Sequence, residues 1–194
     1  MGFFRNLFSA RRLVTRAMEA QEARLEKLSA LPDDALAAQP DDVLCEVLSY
    51  RNDQAANAQF GPPHKRRQSL AECYSAFSGA RRVYALVDLY LLEMDVDGLC
   101  EVLTGELREL VWELPGLLRE VCADAHAALL EAFFADNGID PREMSSFRVG
   151  RDLETDYAAQ TVRYPYPAFN QAFAVLPPLA SSLARYAREH LSEL

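Results

Sequence analysis

The sequence of 194 residues is half hydrophobic and carries a formal net charge of −9. This length and composition suffice for one sizeable core and exclude an intrinsically disordered chain. The acidic balance repels nucleic acids and anionic membranes, so we expect no direct nucleic-acid binding. No apolar stretch reaches the length of a membrane span and no signal-peptide pattern is present, so we expect a cytoplasmic protein.

The charge is unevenly distributed along the chain. Residues 1–30 contain six basic and three acidic side chains. From Asp88 to Glu143 there are fourteen acidic side chains and three arginines, which is a formal charge of −11. A field of this strength attracts basic proteins or metal cations at close range. The segment is therefore predicted to bind a basic protein partner, and the alternative is an acidic face that is only solvated.

The first element in chain order is a predicted amphipathic helix over about residues 5–29. Its apolar residues recur with a period close to 3.6, and its basic residues outnumber its acidic ones. Such a helix can lie on a membrane surface or pack against the domain or a partner helix, and packing is the favoured interpretation. Residues 1–30 are therefore assigned to a basic amphipathic helix, and residues 31–194 to one helical domain.

A short connector that can form a helical turn is predicted over residues 31–40, where Pro, Asp and Ala dominate. The next helix is predicted over 42–58, with Asp41 as its N-cap and a stop at Gly61-Pro62-Pro63. The basic run His64–Arg67 is compatible with a phosphate contact, but a solvated helix start is the favoured interpretation. We therefore predict no nucleic-acid site there.

Three helices are predicted between residues 81 and 136. Residues 81–94 are apolar on most sides, which indicates a core helix. Residues 106–114 and 115–136 each combine an apolar face with a stripe of carboxylates on the opposite face. These stripes are the predicted partner-binding residues: Glu106, Glu109 and Glu113 in the first, and Glu120, Asp124 and Glu131 in the second.

The last third of the chain continues the helical pattern. Helices are predicted over about 152–160, 169–176 and 179–191, and prolines separate the last two. The sequence therefore predicts an all-α fold, with a single multi-helix globular domain and an N-terminal amphipathic helix.

The sequence contains no recognisable catalytic or metal-binding motif. None of the three histidines follows a glutamate by three residues, so the di-metal bundle pattern is missing. A nucleophile elbow, a phosphate-binding loop and a dinucleotide fingerprint are also missing. We therefore expect a protein that is not an enzyme and that needs no metal or cofactor. Four widely spaced cysteines are predicted to be buried free thiols: Cys45, Cys73, Cys100 and Cys122.

Several short motifs between Val83 and His190 resemble one bacterial family. They are Leu91–Cys100, Asp136–Asp140, Ser145–Phe147 and Tyr164–Phe173. In this order they resemble the bacterial DNA-mimic protein family, an all-helical and mostly uncharacterised domain. That family usually has two asparagines followed by two glycines after the first core helix. Here Asp97 and Gly98 are what remains of that loop, and Leu99 follows them.

The resemblance implies that carboxylates imitate DNA phosphates and occupy the DNA-binding face of a transcription factor. On one continuous helix, Glu120 and Asp124 would be separated by about 6 Å of helix rise, and Asp124 and Glu131 by about 10 Å, distances comparable with successive phosphates. The first hypothesis is a non-enzymatic acidic module that sequesters a basic DNA-binding protein. The alternative is an immunity-type or structural interaction protein that binds through the N-terminal helix or a groove beside Trp112.

Overall fold

The computed structural model describes residues 17–150 and 152–194, and this part of the protein is all-helical. The predicted fold class is therefore confirmed. Residues 17–29 form helix α1, and the remainder of the predicted N-terminal helix lies outside the described residues. The other helices are α2 (Asp33–Ala37), α3 (Asp41–Phe60), α4 (Leu70–Ser75), α5 (Gly79–Val96), α6 (Leu99–Thr104), α7 (Leu114–Glu120), α8 (Asp124–Asp136), α9 (Leu153–Thr161), α10 (Tyr166–Ala174) and α11 (Leu179–Glu189). Short 3-10 helices occupy Glu106–Leu110, Ser145–Phe147 and Leu191–Glu193.

Helix α5 forms the centre of the fold. It packs against α3, α4, α6, α7 and α11. Tyr84, Leu86, Val87 and Tyr90 are completely buried along it, because apolar residues occur on nearly all of its sides. The prediction of a core helix in this region is confirmed.

Helix α3 begins one residue earlier than the sequence suggests. Pro40 is its N-cap, and Asp41 is the first helical residue rather than the cap. The Asp41 carboxylate instead pairs with Arg188 of α11 at 2.8 Å. At the other end, Gly61 adopts a positive φ of 90° and ends the helix, as predicted.

The basic run His64–Arg67 lies in a loop, so the predicted helix start is wrong there. Helix α4 begins only at Leu70, after a capping box. The Ser69 hydroxyl accepts from the Glu72 N–H at 3.1 Å, and the Glu72 carboxylate accepts from the Ser69 N–H at 2.7 Å. A serine followed three residues later by a glutamate is visible in the sequence and could have located this helix.

The two predicted acidic helices are shorter and more interrupted than their periodicity suggests. Residues 106–110 form a 3-10 helix followed by a turn, and residues 115–136 do not form one continuous helix. The chain breaks between α7 and α8, where Cys122 adopts a positive φ of 56° and the Ala123 N–H donates to the Leu118 carbonyl at 2.8 Å. The separation of Glu120 and Asp124 therefore cannot be calculated from helix rise.

The cysteine prediction is correct in part. Cys73 and Cys100 are buried, Cys45 is half-buried and Cys122 is exposed, and all four are free thiols. Cys122 is exposed because the break after α7 turns it outward while its neighbours Val121 and Ala123 remain buried.

The C-terminal helices occur close to where they are predicted. α10 begins at Tyr166, three residues earlier than expected, and α11 ends at Glu189, where a 3-10 turn replaces its last predicted residues. The apolar face of α11 packs on α3 and α5. Within the described ranges, no helix is long and apolar enough to cross a membrane.

The turn between α5 and α6 is attached to α10 through a glycine. Gly98 has a φ of 72°, and a Cβ at this position would clash with the Asn170 side chain. The next backbone N–H, that of Leu99, donates to Asn170 Oδ1 at 3.1 Å. Glycine is therefore required both by the backbone conformation and by the close approach of α10.

We predict that Gly98→Ala lowers the free energy of unfolding by roughly 2–4 kcal/mol, because alanine is strained at positive φ and its Cβ displaces Asn170. The matched control is Gly116→Ala in α7, where a Cβ meets nothing within 4 Å. The control is expected to raise stability by about 0.5–1 kcal/mol. Urea denaturation measures both changes, and equal stability of Gly98→Ala and the wild type would contradict the proposed constraint.

Candidate functional site

Glu106, the first predicted partner-binding residue, contacts the start of α4. Its carboxylate accepts hydrogen bonds from the backbone N–H groups of Leu70 at 2.7 Å and Ala71 at 3.3 Å. The first N–H groups of a helix have no partner within the helix, so a carboxylate placed there is stabilising. Glu106 therefore joins its 3-10 helix to α4.

The other two carboxylates of the first stripe differ in their surroundings. Glu113 is partly buried and pairs with Arg82 of α5 at 2.6 Å. Arg82 also donates from Nε to the Ser75 carbonyl at 3.1 Å, so the pair joins three parts of the fold. Glu109 is exposed and pairs with the adjacent Arg108 at 2.9 Å, a contact that contributes little to stability.

The second stripe lies where α7 packs against α8. Glu131 receives two hydrogen bonds from the Arg119 guanidinium, at 2.9 and 2.5 Å, and these bonds lower the pKa of its carboxyl group. Glu120 and Asp124 stand on either side of the break between the helices, and both are exposed. No ion pair involves either of them among the described residues.

The six predicted residues therefore divide into two groups. Glu106, Glu113 and Glu131 bond to other elements of the fold, although Glu106 and Glu131 are also exposed, whereas Glu109, Glu120 and Asp124 are exposed and make no bond to another element. Sequence spacing cannot make this division, because the partners of the first group come from other elements of the chain.

Asp97 and Gly98, the remnant of the family loop, lie close to residues of other helices. Gly98 contacts Asn170, which belongs to the Tyr164–Phe173 motif, so two motifs that are far apart in the sequence meet here. Burial raises the pKa of Tyr157 in α9, and the charge of Asp97 adds to this shift. The loop connects α5, α9 and α10.

Glu93 is a buried carboxyl group that the sequence analysis does not single out. It is 7% exposed, and its Oε2 atom has no hydrogen-bond partner in the described part of the chain. Burial raises its pKa to about 8, the charge of Glu101 adds to this effect, and the backbone N–H of Leu107 opposes it. The folded protein therefore retains a proton on Glu93 near neutral pH.

A second unpredicted cluster lines a cavity of about 220 Å³ between α3, α4 and α5. The Ser49 hydroxyl donates to Asp88 at 2.6 Å, and the Tyr74 hydroxyl donates to Asp53 at 2.7 Å. Burial raises the pKa of Asp88 to about 6; the bond from Ser49 opposes this shift and the charge of Asp53 adds to it. Each carboxylate thus has its own hydroxyl donor within the fold.

Comparisons with known proteins return no match. No family model, no curated protein and no solved structure matches the chain. The resemblance to the DNA-mimic family therefore remains a hypothesis. Within residues 17–150 and 152–194, no group of three or more potential ligands is arranged to hold a metal ion.

The division of the acidic residues leads to a stability prediction. Glu106→Ala is expected to lower the free energy of unfolding by about 1 kcal/mol, because it removes the acceptor at the start of α4. Glu109→Ala, in the same 3-10 helix, is expected to change it by less than about 0.5 kcal/mol. Chemical denaturation of the two variants measures the difference, and equal losses would show that Glu106 does not support α4.

Glu93 makes stability depend on pH. A carboxyl group whose pKa is raised on folding stabilises the protein fully below its unfolded pKa, and this stabilisation is lost as pH rises through the folded pKa of about 8. We predict that Glu93→Gln has nearly wild-type stability at pH 5 but is more stable than the wild type by roughly 2–4 kcal/mol at pH 9. Urea denaturation at both pH values tests this, and a difference independent of pH would contradict it.

Proposed function

We propose that the protein is a non-enzymatic acidic module that binds a basic protein through its exposed carboxylates. The observation that carries this proposal is the position of the acidic residues between Asp88 and Glu143. Ten of the fourteen are exposed: Asp95, Asp97, Glu106, Glu109, Glu120, Asp124, Glu131, Asp136, Asp140 and Glu143.

The arginines of this segment leave most of that charge uncompensated. Arg108 pairs with Glu109 and Arg119 pairs with Glu131. The third arginine, Arg142, lies over the Trp112 ring at 4.4 Å. A basic partner therefore meets an excess of carboxylates, which favours fast and salt-sensitive association.

The junction of α7 and α8 is the part of this surface best suited to contact a partner. Helices α7 and α8 pack closely against each other, and the exposed bidentate bond between Arg119 and Glu131 also joins them. Glu120 and Asp124 are thereby presented from a rigid support, which reduces the entropy lost on binding. The finer hypothesis is that the partner is a transcription factor or other DNA-binding protein and that these carboxylates occupy its phosphate contacts.

A different surface favours the alternative of an immunity-type or structural interaction protein. Leu92 and Val96 lie one turn apart on α5 and are 57% and 64% exposed. A partner bound to this apolar pair would tolerate salt. The groove predicted beside Trp112 is less suited to this role, because Arg142 lies over the indole ring.

The test begins with capture of proteins from a host lysate and continues with the purified partner. The triple variant Glu109→Gln, Glu120→Gln, Asp124→Asn is expected to weaken binding at least tenfold, and about 0.5 M salt should weaken wild-type binding similarly by screening. Duplex DNA that binds the partner should displace the protein if the carboxylates occupy phosphate contacts.

The matched control is the triple variant Asp34→Asn, Asp42→Asn, Glu189→Gln. It removes the same number of exposed carboxylates, none of which belongs to an ion pair among the described residues. Its affinity should stay within about threefold of the wild type if the contact is local. A partner that is retained at high salt and by both variants would contradict the acidic proposal and favour contact through Leu92 and Val96.

A further inference from the structure

A second cavity lies away from the acidic segment. Its volume is about 390 Å³. The residues that line it come from the end of α1, the start of α2, the middle of α3, the start of α5 and the last residues of the chain. Two arginines line it, Arg51 from α3 and Arg81 from α5. The hydroxyl or amide side chains of Tyr50, Gln54 and Ser192 supply further hydrogen-bond donors.

The first arginine is held in position by the backbone. Arg51 Nη2 donates to the carbonyl oxygen of Ser29 at 2.7 Å. A guanidinium group has five N–H donors, so this single bond leaves Arg51 able to contact a ligand. The bond also lowers the entropy that Arg51 would lose when a ligand binds.

The second arginine is incompletely satisfied. Arg81 Nε is buried and has no hydrogen-bond partner in the described part of the chain, although the guanidinium lies 5.9 Å from the centre of the Phe77 ring. Burial and the neighbouring charge of Arg51 both lower the pKa of Arg81. Like charges in a partly buried site repel each other unless an anion lies between them.

The carboxylates of the chain do not supply that anion. Asp33 and the C-terminal residue Leu194 line the cavity, but no ion pair joins the carboxylate of either, or any other acidic group of the described residues, to Arg51 or Arg81. Elsewhere in the described part of the chain, five arginines pair with carboxylates, namely Arg24, Arg82, Arg108, Arg119 and Arg188, and six others form no ion pair. The two cavity arginines thus remain available in a protein with a large excess of acidic residues.

We propose that this cavity binds a phosphate group between Arg51 and Arg81, either as inorganic phosphate or as part of a small phosphomonoester. The forked guanidinium groups match the oxygen geometry of phosphate, and the neighbouring hydroxyl and amide groups complete its hydrogen bonds. The volume is in the usual range of small-molecule sites and exceeds the needs of a single phosphate ion. A phosphomonoester therefore fills the cavity better.

The test uses the full chain without a C-terminal tag, since Leu194 lines the cavity. Inorganic phosphate and glycerol 3-phosphate are titrated by calorimetry, with sodium chloride of equal ionic strength as the reference. Both ligands are expected to bind and to raise Tm, and glycerol 3-phosphate should bind more tightly. Equal affinities would identify free phosphate as the ligand, and no binding above the chloride reference would overturn the proposal.

Substitutions locate the binding. Arg81→Gln should weaken phosphate binding at least tenfold, while its Tm without phosphate should equal or exceed that of the wild type because a like-charge contact is removed. Ser192→Asp keeps both arginines but adds a carboxylate to the cavity, so it should also weaken phosphate binding tenfold. If Arg81→Gln does not fold, Ser192→Asp tests whether phosphate binds in this cavity. Arg148→Gln, which removes an exposed arginine outside the cavity lining, should change the affinity less than twofold. An equal loss in Arg148→Gln would overturn the proposal.

Discussion

The burial of α5 is the constraint on which the arrangement of the other helices depends. Tyr84, Leu86 and Val87 are completely buried, and each large apolar side chain removed from water contributes roughly 1.5–3 kcal/mol. A helix that is apolar on nearly all sides needs neighbours all round it, and α3, α4, α6, α7 and α11 supply them. The same burial raises the pKa values of the Asp88 and Glu93 carboxyl groups. The free energy of unfolding therefore depends on pH.

Several charged side chains at the surface attach short elements to the core around α5. The 3-10 helix and α4 are too short to be stable alone, and Glu106 and the Arg82–Glu113 pair attach them to the core. Acidic residues that look equivalent in a helical pattern therefore have different roles. The net charge of the segment overstates the number of carboxylates that a partner can contact, and the exposed members define the surface that we propose for binding.

Strong periodicity made much of the fold predictable from the sequence. The core helix, the stop at Gly61 and the order of the C-terminal helices follow from local patterns. The break at Cys122 could not be predicted, because no glycine or proline marks it and the burial of Val121 and Ala123 stabilises it. The partners of the acidic stripe were equally hidden, since Arg82 and Glu113 are 31 residues apart in the sequence. Helix α4 is a different case, because its capping box of Ser69 and Glu72 is a local signal that the sequence itself contains.

The Arg51–Arg81 cavity shows how the fold can bring two basic side chains together in an acidic protein. Arg51 is the single basic residue of α3, and Arg81 has only Arg82 beside it on α5, so neither belongs to a basic run in the sequence. Packing α3 and α5 around the core brings the two guanidinium groups to one cavity, away from the carboxylates that neutralise other arginines. An excess of acid on the outer surface is therefore compatible with two arginines that form no ion pair in a cavity. The first favours a large basic partner, and the second favours a small anion.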